Sequence, residues 1–498
     1  MEAVLYVGTL ALGAISSVFS GQNPLNLYFS TPNITAELGP LISGTILLPD
    51  DTRWVNATAR WQEHAAPSYR AIVEVATEKD IQETIRFANL HSIPFLALGG
   101  GHGMTNTLAK LKGGLAISTR RMKTVELRKD GTTAKLGPGW KSGELLHALD
   151  AIGKRTVTGY CECTGLAGVM LGGGHGVLQG EYGLIADNLV EARLVIGDGS
   201  VLTVSEQTNA DLFWALRGGG HNFGIVSEFV HKVYDKKVDD RWTVASFIYS
   251  EDKLEDVFST FNALEDHSHP AELTYQTSIV RLPDFDPNNA IISLSIVYDG
   301  PPDQAEPYVK LFREKEHIFS QEQVGKYTQL GVMTSLYDGG PFCRPFGAIH
   351  VGPISLYTYN ATAMREAYSI FNKVTAEDTF ARSFMLIESY SMQAVQAVPE
   401  ENTAVIDRAY NILVGNFIIH PIAFAEADAR GREYSHRIRD ALFIGSGMKG
   451  DPPVYVNYAS GLETENQIYG EGWRVEKLKK LKKKYDPKGL FNFYNPIS

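Results

Sequence analysis

The sequence predicts an α+β fold built in two parts, and three observations carry that expectation. Residues from Tyr69 to Leu98 read as strand, helix, strand and run directly into Gly99-Gly100-Gly101-His102-Gly103. Beyond about Asp239, longer alternating strands such as Leu273 to Val280 and Ile291 to Tyr298 stand between amphipathic helices. That texture belongs to a second α+β part on an antiparallel sheet. At 498 residues and 44% hydrophobic, the chain has material for more than one core.

Each element has a local reason. Ala71-Ile72-Val73-Glu74-Val75 is apolar and β-branched, as a buried strand requires, and Thr77 stands where a helix over 78–91 needs its N-cap. Pro94 to Leu98 returns as a strand and delivers the first glycine run. Gly137-Pro138-Gly139 turns the chain into a helix from Ser142 to Ile152. Asp198-Gly199, between Ala192–Ile196 and Val201–Val204, signals a hairpin. Asp211 to Arg217 is a short helix ending in glycine, with Ile225 to Phe229 as the next strand. In the second part, helices are expected over Pro307–His317 and Ala363–Thr375. The tail, Tyr455 to Phe493, reads as a final strand and helix returning to the first part.

Composition excludes several function classes. A net charge of −11 argues against nucleic-acid binding, which needs a concentrated basic surface. The basic run Lys477 to Lys484 alternates with Leu478 and Leu481, so it reads as the solvated face of a late helix. Met1 to Ser20 carries no Lys or Arg, and its apolar stretch fits a secretory leader over 1–21. It is short for a membrane span, and no span is expected in the mature chain. Sequons at Asn33, Asn56 and Asn360 fit the same secreted route. With only Cys161, Cys163 and Cys343 present, disulfides are not expected to hold this fold. Cys161 and Cys163 are too close for an unstrained bridge in extended chain. No His-x-x-x-His pair stands beside a carboxylate, so no metal site is expected. No Gly-x-Ser-x-Gly elbow speaks for a hydrolase.

The chemistry concentrates in two glycine-rich loops. The first is Gly99 to Gly103; the second runs from Gly159-Tyr160-Cys161-Glu162-Cys163-Thr164-Gly165 through Gly168 to Gly172-Gly173-Gly174-His175-Gly176. Glycine leaves no Cβ in the way of a ligand, and the loop amides suit a pyrophosphate. Each loop also plants a nucleophile, His102 or Cys161, where it could join a bound cofactor covalently. His175 and His221 sit in similar stretches; either could face a bound cofactor, and both read first as hydrogen-bonded structural histidines.

Further motifs make a resemblance specific. Asp211-Leu212-Phe213-Trp214-Ala215-Leu216-Arg217-Gly218-Gly219-Gly220 closes with Asn222-Phe223-Gly224-Ile225-Val226. Tyr182-Gly183-Leu184-Ile185-Ala186-Asp187-Asn188, Val456-Asn457-Tyr458, Tyr469-Gly470 and Lys484-Tyr485-Asp486-Pro487 follow the same pattern. Together they resemble the berberine-bridge-enzyme-like branch of the vanillyl-alcohol-oxidase flavoprotein superfamily from roughly residue 45 to 496. The resemblance implies a PCMH-type FAD-binding domain over 45–236, a substrate domain over 237–449, and a segment over 450–498 returning to the first.

It also implies site roles. His102 matches the histidine bonded to the flavin 8α methyl carbon and Cys161 the cysteine bonded at C6, giving bicovalent FAD. Cys163 is a second thiol where the family usually has none, and it reads as a packing residue or a spare. Gly99, Gly100, Gly101, Gly103, Gly165, Gly168, Gly172, Gly173, Gly174, Asn222, Gly224, Ile225, Val226 and Asn457 match cofactor-binding positions. Tyr458 matches the active-site tyrosine and Glu388 the carboxylate, as alternative bases or as a relay for hydride transfer from a carbon bearing OH or NH. A tyrosine base would need its pKa lowered by roughly 3 units. Thr164 falls at the oxygen gatekeeper position; its valine-like shape implies an oxidase using O2 and releasing H2O2, rather than a dehydrogenase. The implied substrate is a small secondary metabolite that could cyclise after oxidation. An oligosaccharide oxidase forming lactones, and a flavin-holding scaffold without turnover, are the alternatives.

Overall fold

A computed structural model describes residues 32–266 and 269–498; the leader expected over 1–21 lies outside the described residues. Strands Tyr69–Glu74 and Phe95–Leu98 flank the Glu78–Leu90 helix as the sequence predicts, and the Thr77 hydroxyl accepts from the Asp80 amide to cap it. With Thr45–Leu47 at one edge and Gly114–Ser118 between them, they form a four-stranded sheet whose other three strands run parallel. Parallel strands are covered on both faces. Accordingly Ala71, Ile72, Val73, Leu115, Ala116 and Ile117 are all buried.

A five-stranded antiparallel sheet follows, ordered Val125–Leu127, Thr133–Leu136, Ile225–Lys232, Leu189–Val195, Val201–Ser205. Its last two strands are the predicted hairpin, with Val195 opposite Val201 and Gly199 at φ +81 in the turn. That backbone conformation favours glycine.

The third layer is a seven-stranded antiparallel sheet. Its order is Phe319–Gly325, Trp242–Tyr249, Ile291–Tyr298, Leu273–Val280, Phe384–Tyr390, Ile412–His420, Ala348–Leu356. Helices Leu254–Asp266, Pro302–Arg313, Ala361–Thr375 and Ala427–Ser446 contribute to a core on one face, where Phe258, Phe312, Phe371 and Ile438 pack with Met385 and Ile387. Side chains alternate along a strand. Phe384, Leu386, Glu388 and Tyr390 therefore point to the other face, where they line a cavity.

Four expectations are corrected. The helix expected over Pro307–His317 spans Pro302–Arg313, because Pro302 takes the first-turn position that a proline suits. Among the described residues the tail holds no strand. Near Tyr455 the chain instead makes tight turns, the Tyr458 amide bonding the Tyr455 carbonyl. The basic run lies on the Trp473–Tyr485 helix, yet Lys482 is buried with Leu478 and Leu481. It donates to the Asn222 carbonyl at 2.8 Å and to Asp486 at 2.6 Å. Finally, Cys163 is neither a packing residue nor a spare, and a disulfide does tie the fold: Cys163 bonds Cys343 across 180 positions, leaving Cys161 free. The partner arrives on a distant loop that local spacing does not reveal.

Candidate active site

The two glycine loops meet backbone to backbone. A Cβ on Gly100 would stand 2.3 Å from the Gly165 nitrogen, and one on Gly165 would stand 2.5 Å from the Gly100 nitrogen. Only glycine at both positions permits this approach. The contact closes one wall of a cavity of about 360 Å³. His102 and Cys161 both line it, with Gly99, Gly100, Gly101, Gly103, Thr164, Gly165, Gly168, Gly224, Ile225, Val226 and Asn457. Glu388 and Tyr458 face the same space from the seven-stranded sheet and the tail.

Four predicted cofactor residues do not line the cavity. Gly172 lies under Asn457, whose Oδ1 would be 2.3 Å from an added Cβ. Gly173 and Gly174 take φ +103 and +85 and pack against Val405 and Ile185, so they shape a buried turn. Asn222 is fully buried and holds the C-terminus, its Oδ1 accepting from the Ile497 amide at 3.0 Å.

Burial sets the state of the two nucleophiles. It pushes the His102 pKa down to about 4, with Lys141 adding to the effect, so the imidazole is neutral. Trp61 stacks on that ring with centroids 5.8 Å apart. Burial likewise pushes the Cys161 thiol up to about 11. The Cys161 Sγ lies 3.4 Å from the Sγ of Cys163 and 3.7 Å from that of Cys343.

Glu388 sits between two phenols. Tyr390 donates to Oε1 at 2.5 Å, and Tyr458 donates to Oε2 in a short hydrogen bond. Burial raises the Glu388 pKa, opposed by both hydrogen bonds. Burial and then the Glu388 charge raise Tyr458 well above the ordinary tyrosine value. The downward shift that a tyrosine base requires is absent; the environment moves Tyr458 the opposite way.

The remaining polar groups brace the loops. Thr164 Oγ1 donates to the Cys161 carbonyl at 2.8 Å and lies 2.9 Å from Ser142 Oγ. Asn457 Nδ2 donates to the Val169 carbonyl at 2.9 Å and to Tyr455 Oη at 2.6 Å. His175 is held by Gln179 and His221 by the Gly168 carbonyl, as expected of structural histidines. Yet both also line the cavity, and His175 Nε2 and His221 Nδ1 are buried without a protein partner. Buried polar atoms are normally satisfied. A heteroaromatic ligand rich in polar edges fits a cavity with a neutral imidazole, a thiol, glycine backbone and such orphaned nitrogens.

Sequence reasoning missed Trp61, Tyr390 and Tyr455. Tyr390 was within reach, since it lies two residues beyond Glu388 on a strand; Trp61 carries no such signal. Linear spacing also missed a cluster away from the cavity. His350, His420 and Asp428 bring two ring nitrogens and a carboxylate oxygen within 4.8 Å of one another.

Fold and site together define a flavin-dependent oxidoreductase. Residues 69–205 match the family model described as FAD binding domain, and residues 454–498 match the one described as berberine and berberine like. The chain is 35% identical to FAD-linked oxidoreductase chry5 of Gibberella zeae, with 100% of each chain covered. Its fold is similar to that of BBE-like 1 from Physcomitrella patens, at a TM-score of 0.82 and 22% identity, covering 94% of this chain and 99% of that one. Glucooligosaccharide oxidase from Acremonium strictum, whose FAD is described as 6-S-cysteinyl, 8α-N1-histidyl, gives 0.78 and 21% over 94% and 99%. The chain belongs to the berberine-bridge-enzyme-like FAD-linked oxidoreductases. No helix among the described residues is long and apolar enough to cross a membrane.

Proposed function

We propose that this enzyme is a secreted oxidase that takes two electrons from an alcohol or amine carbon of a small, largely apolar secondary metabolite and passes them to O2 as H2O2. One observation carries the reading: Glu388, with two phenols on its carboxylate, faces a cavity walled by Trp61, Phe342, Phe384 and Phe417 and shared with His102 and Cys161.

FAD, when bound, supplies the two-electron acceptor. His102 and Cys161 would hold it at two points, and the glycine loops would admit its backbone-facing edges. Glu388 receives the proton that leaves the substrate OH or NH. Tyr458 relays it, accepting at Oη while its own proton passes to Oε2. Tyr390 fixes the other carboxylate oxygen and so aims Glu388. The aromatic wall excludes water and favours an apolar substrate body. Thr164 spends its hydroxyl on the Cys161 carbonyl, which supports access for O2 past a side chain of valine's bulk. The Cys163–Cys343 disulfide supports passage through an oxidising compartment.

A sugar substrate is the second reading, favoured by the fold's likeness to an oligosaccharide oxidase. Against it, the lining is mostly apolar, and the strand paired beside Glu388 adds only two polar side chains, Gln276 and Ser278. Peroxide release on a panel of aromatic and polycyclic alcohols and amines beside cello- and malto-oligosaccharides separates the two. Turnover is expected on the apolar members; robust turnover of the sugars overturns the substrate assignment. Attachment has its own measurement. Intact mass after acid denaturation should exceed the apoprotein by one FAD in wild type, His102→Ala and Cys161→Ala, and fall to the apoprotein mass in the double variant.

A further inference from the structure

We propose that His350, His420 and Asp428 form a binding site for a divalent first-row cation, with zinc as the reference ion. The site lies at one edge of the seven-stranded sheet. In the pairing register Ala348 faces His420 and His350 faces Ile418, which makes the two histidines diagonal neighbours on one face. Asp428 comes from the first turn of the Ala427–Ser446 helix that packs over them. That helix approaches closely because residue 431 is glycine: a Cβ there would stand 2.6 Å from His350 Cδ2.

Three donor atoms converge. His350 Nε2 is 3.2 Å from His420 Nε2 and 3.2 Å from Asp428 Oδ1, and His420 Nε2 is 3.0 Å from the same oxygen. A tetrahedral zinc with bonds of about 2.0–2.1 Å spaces its ligand atoms about 3.3–3.4 Å apart, so the triangle needs to open by only a few tenths of an ångström. Both histidine side chains are almost fully buried, at 2% and 1% exposure.

Proton accounting points the same way. His420 Nδ1 lies 2.9 Å from the Pro421 carbonyl, which can only accept, so Nδ1 carries the hydrogen and Nε2 presents a lone pair when the ring is neutral. This is the support by which metal-binding histidines are usually oriented. His350 Nε2 can carry at most one hydrogen, yet it makes two of the contacts. In the neutral cluster at least one contact therefore sets lone pair against lone pair, and a cation at the centre satisfies all three. A fourth donor is near: His64 Nδ1 lies 3.4 Å from Asp428 Oδ1.

His64 belongs to the segment that also carries Trp61, the ring stacked on His102, and Gln62, which bonds Ile349 in both directions. A bound cation would fasten that segment to the sheet edge. The site is separate from the flavin cavity, and its test does not depend on the proposed reaction.

The full-length flavoprotein, stripped with chelator and titrated with zinc chloride, should retain about one zinc per chain by elemental analysis after desalting and gain a higher Tm. Asp428→Asn, a near-isosteric change at a half-buried position, should weaken zinc binding at least ~10-fold and abolish the Tm gain. Cys161→Ser should bind zinc like wild type, which separates this cluster from the three sulfurs. Unchanged flavin absorbance in Asp428→Asn would establish that it is folded. No retained zinc in wild type, or equal retention in Asp428→Asn, overturns the proposal; the three groups would then be a hydrogen-bonded cluster only.

Discussion

Glu388→Gln lowers kcat/KM by ~10²–10⁴-fold, the range a positioned general base contributes, while the FAD content stays unchanged. Glutamine keeps the shape and still accepts one phenol hydrogen bond, but it cannot take a proton. The pH profile provides the sharper readout. Burial raises the Glu388 pKa above its ordinary 4.5, and the base must be deprotonated to act. Activity therefore rises with pH on a single limb whose midpoint lies above the ordinary carboxylate range. Tyr458 is raised well above 10.0, so no tyrosine ionisation interrupts the plateau at neutral pH. The residual activity of Glu388→Gln should lose that limb. If the limb persists unchanged, another group is the base and the relay through Tyr458 falls with it. Tyr458→Phe, which removes the relay but leaves the carboxylate, should keep the limb at reduced amplitude.

The second large effect is on stability. The Cys163–Cys343 bond closes a loop of 180 positions, and closures of that size stabilise by about 4–5 kcal/mol through restriction of the unfolded chain. Cys343→Ser should shift the denaturant midpoint accordingly, and alkylation of the unfolded protein should label one more thiol than in wild type. Equal midpoints would show that the covalent link adds nothing to the packing around it. The variant carries a second consequence. Cys163 would be released as a thiol within 3.4 Å of the Cys161 sulfur, two residues from the position proposed to hold the flavin. In the native chain, pairing with Cys343 removes that rival and leaves one candidate nucleophile.

Legibility in the sequence followed the range of the interactions. The strands Leu273–Val280 and Ile291–Tyr298 were readable to the residue because alternation is a local property of a half-buried strand. The same holds for the Thr77 cap and the Asp198-Gly199 turn. The motif resemblance brought His102, Cys161, Glu388 and Tyr458 into one set, and the fold places all four on one cavity. What escaped was long-range. Cys343 lies 180 positions from its partner, and the imidazoles of His350 and His420 meet across 70. The glycines at 172–174 look in sequence like those at 99–101, yet they pack against Asn457, Val405 and Ile185 instead of lining the cavity. Burial of Lys482 was hidden by its neighbours, since only the fold sets the Asn222 carbonyl and Asp486 beside it.

The contact between Gly100 and Gly165 works as a gauge block. Two segments with no room for a side chain at their touching point can come to rest at only one separation. His102 stands two residues from one side of that contact and Cys161 four residues from the other. The span between the two proposed attachment points is thus set largely by main-chain dimensions. A methyl group at either glycine would widen the calliper, and a rigid ring held at both proposed points could not stretch to follow it.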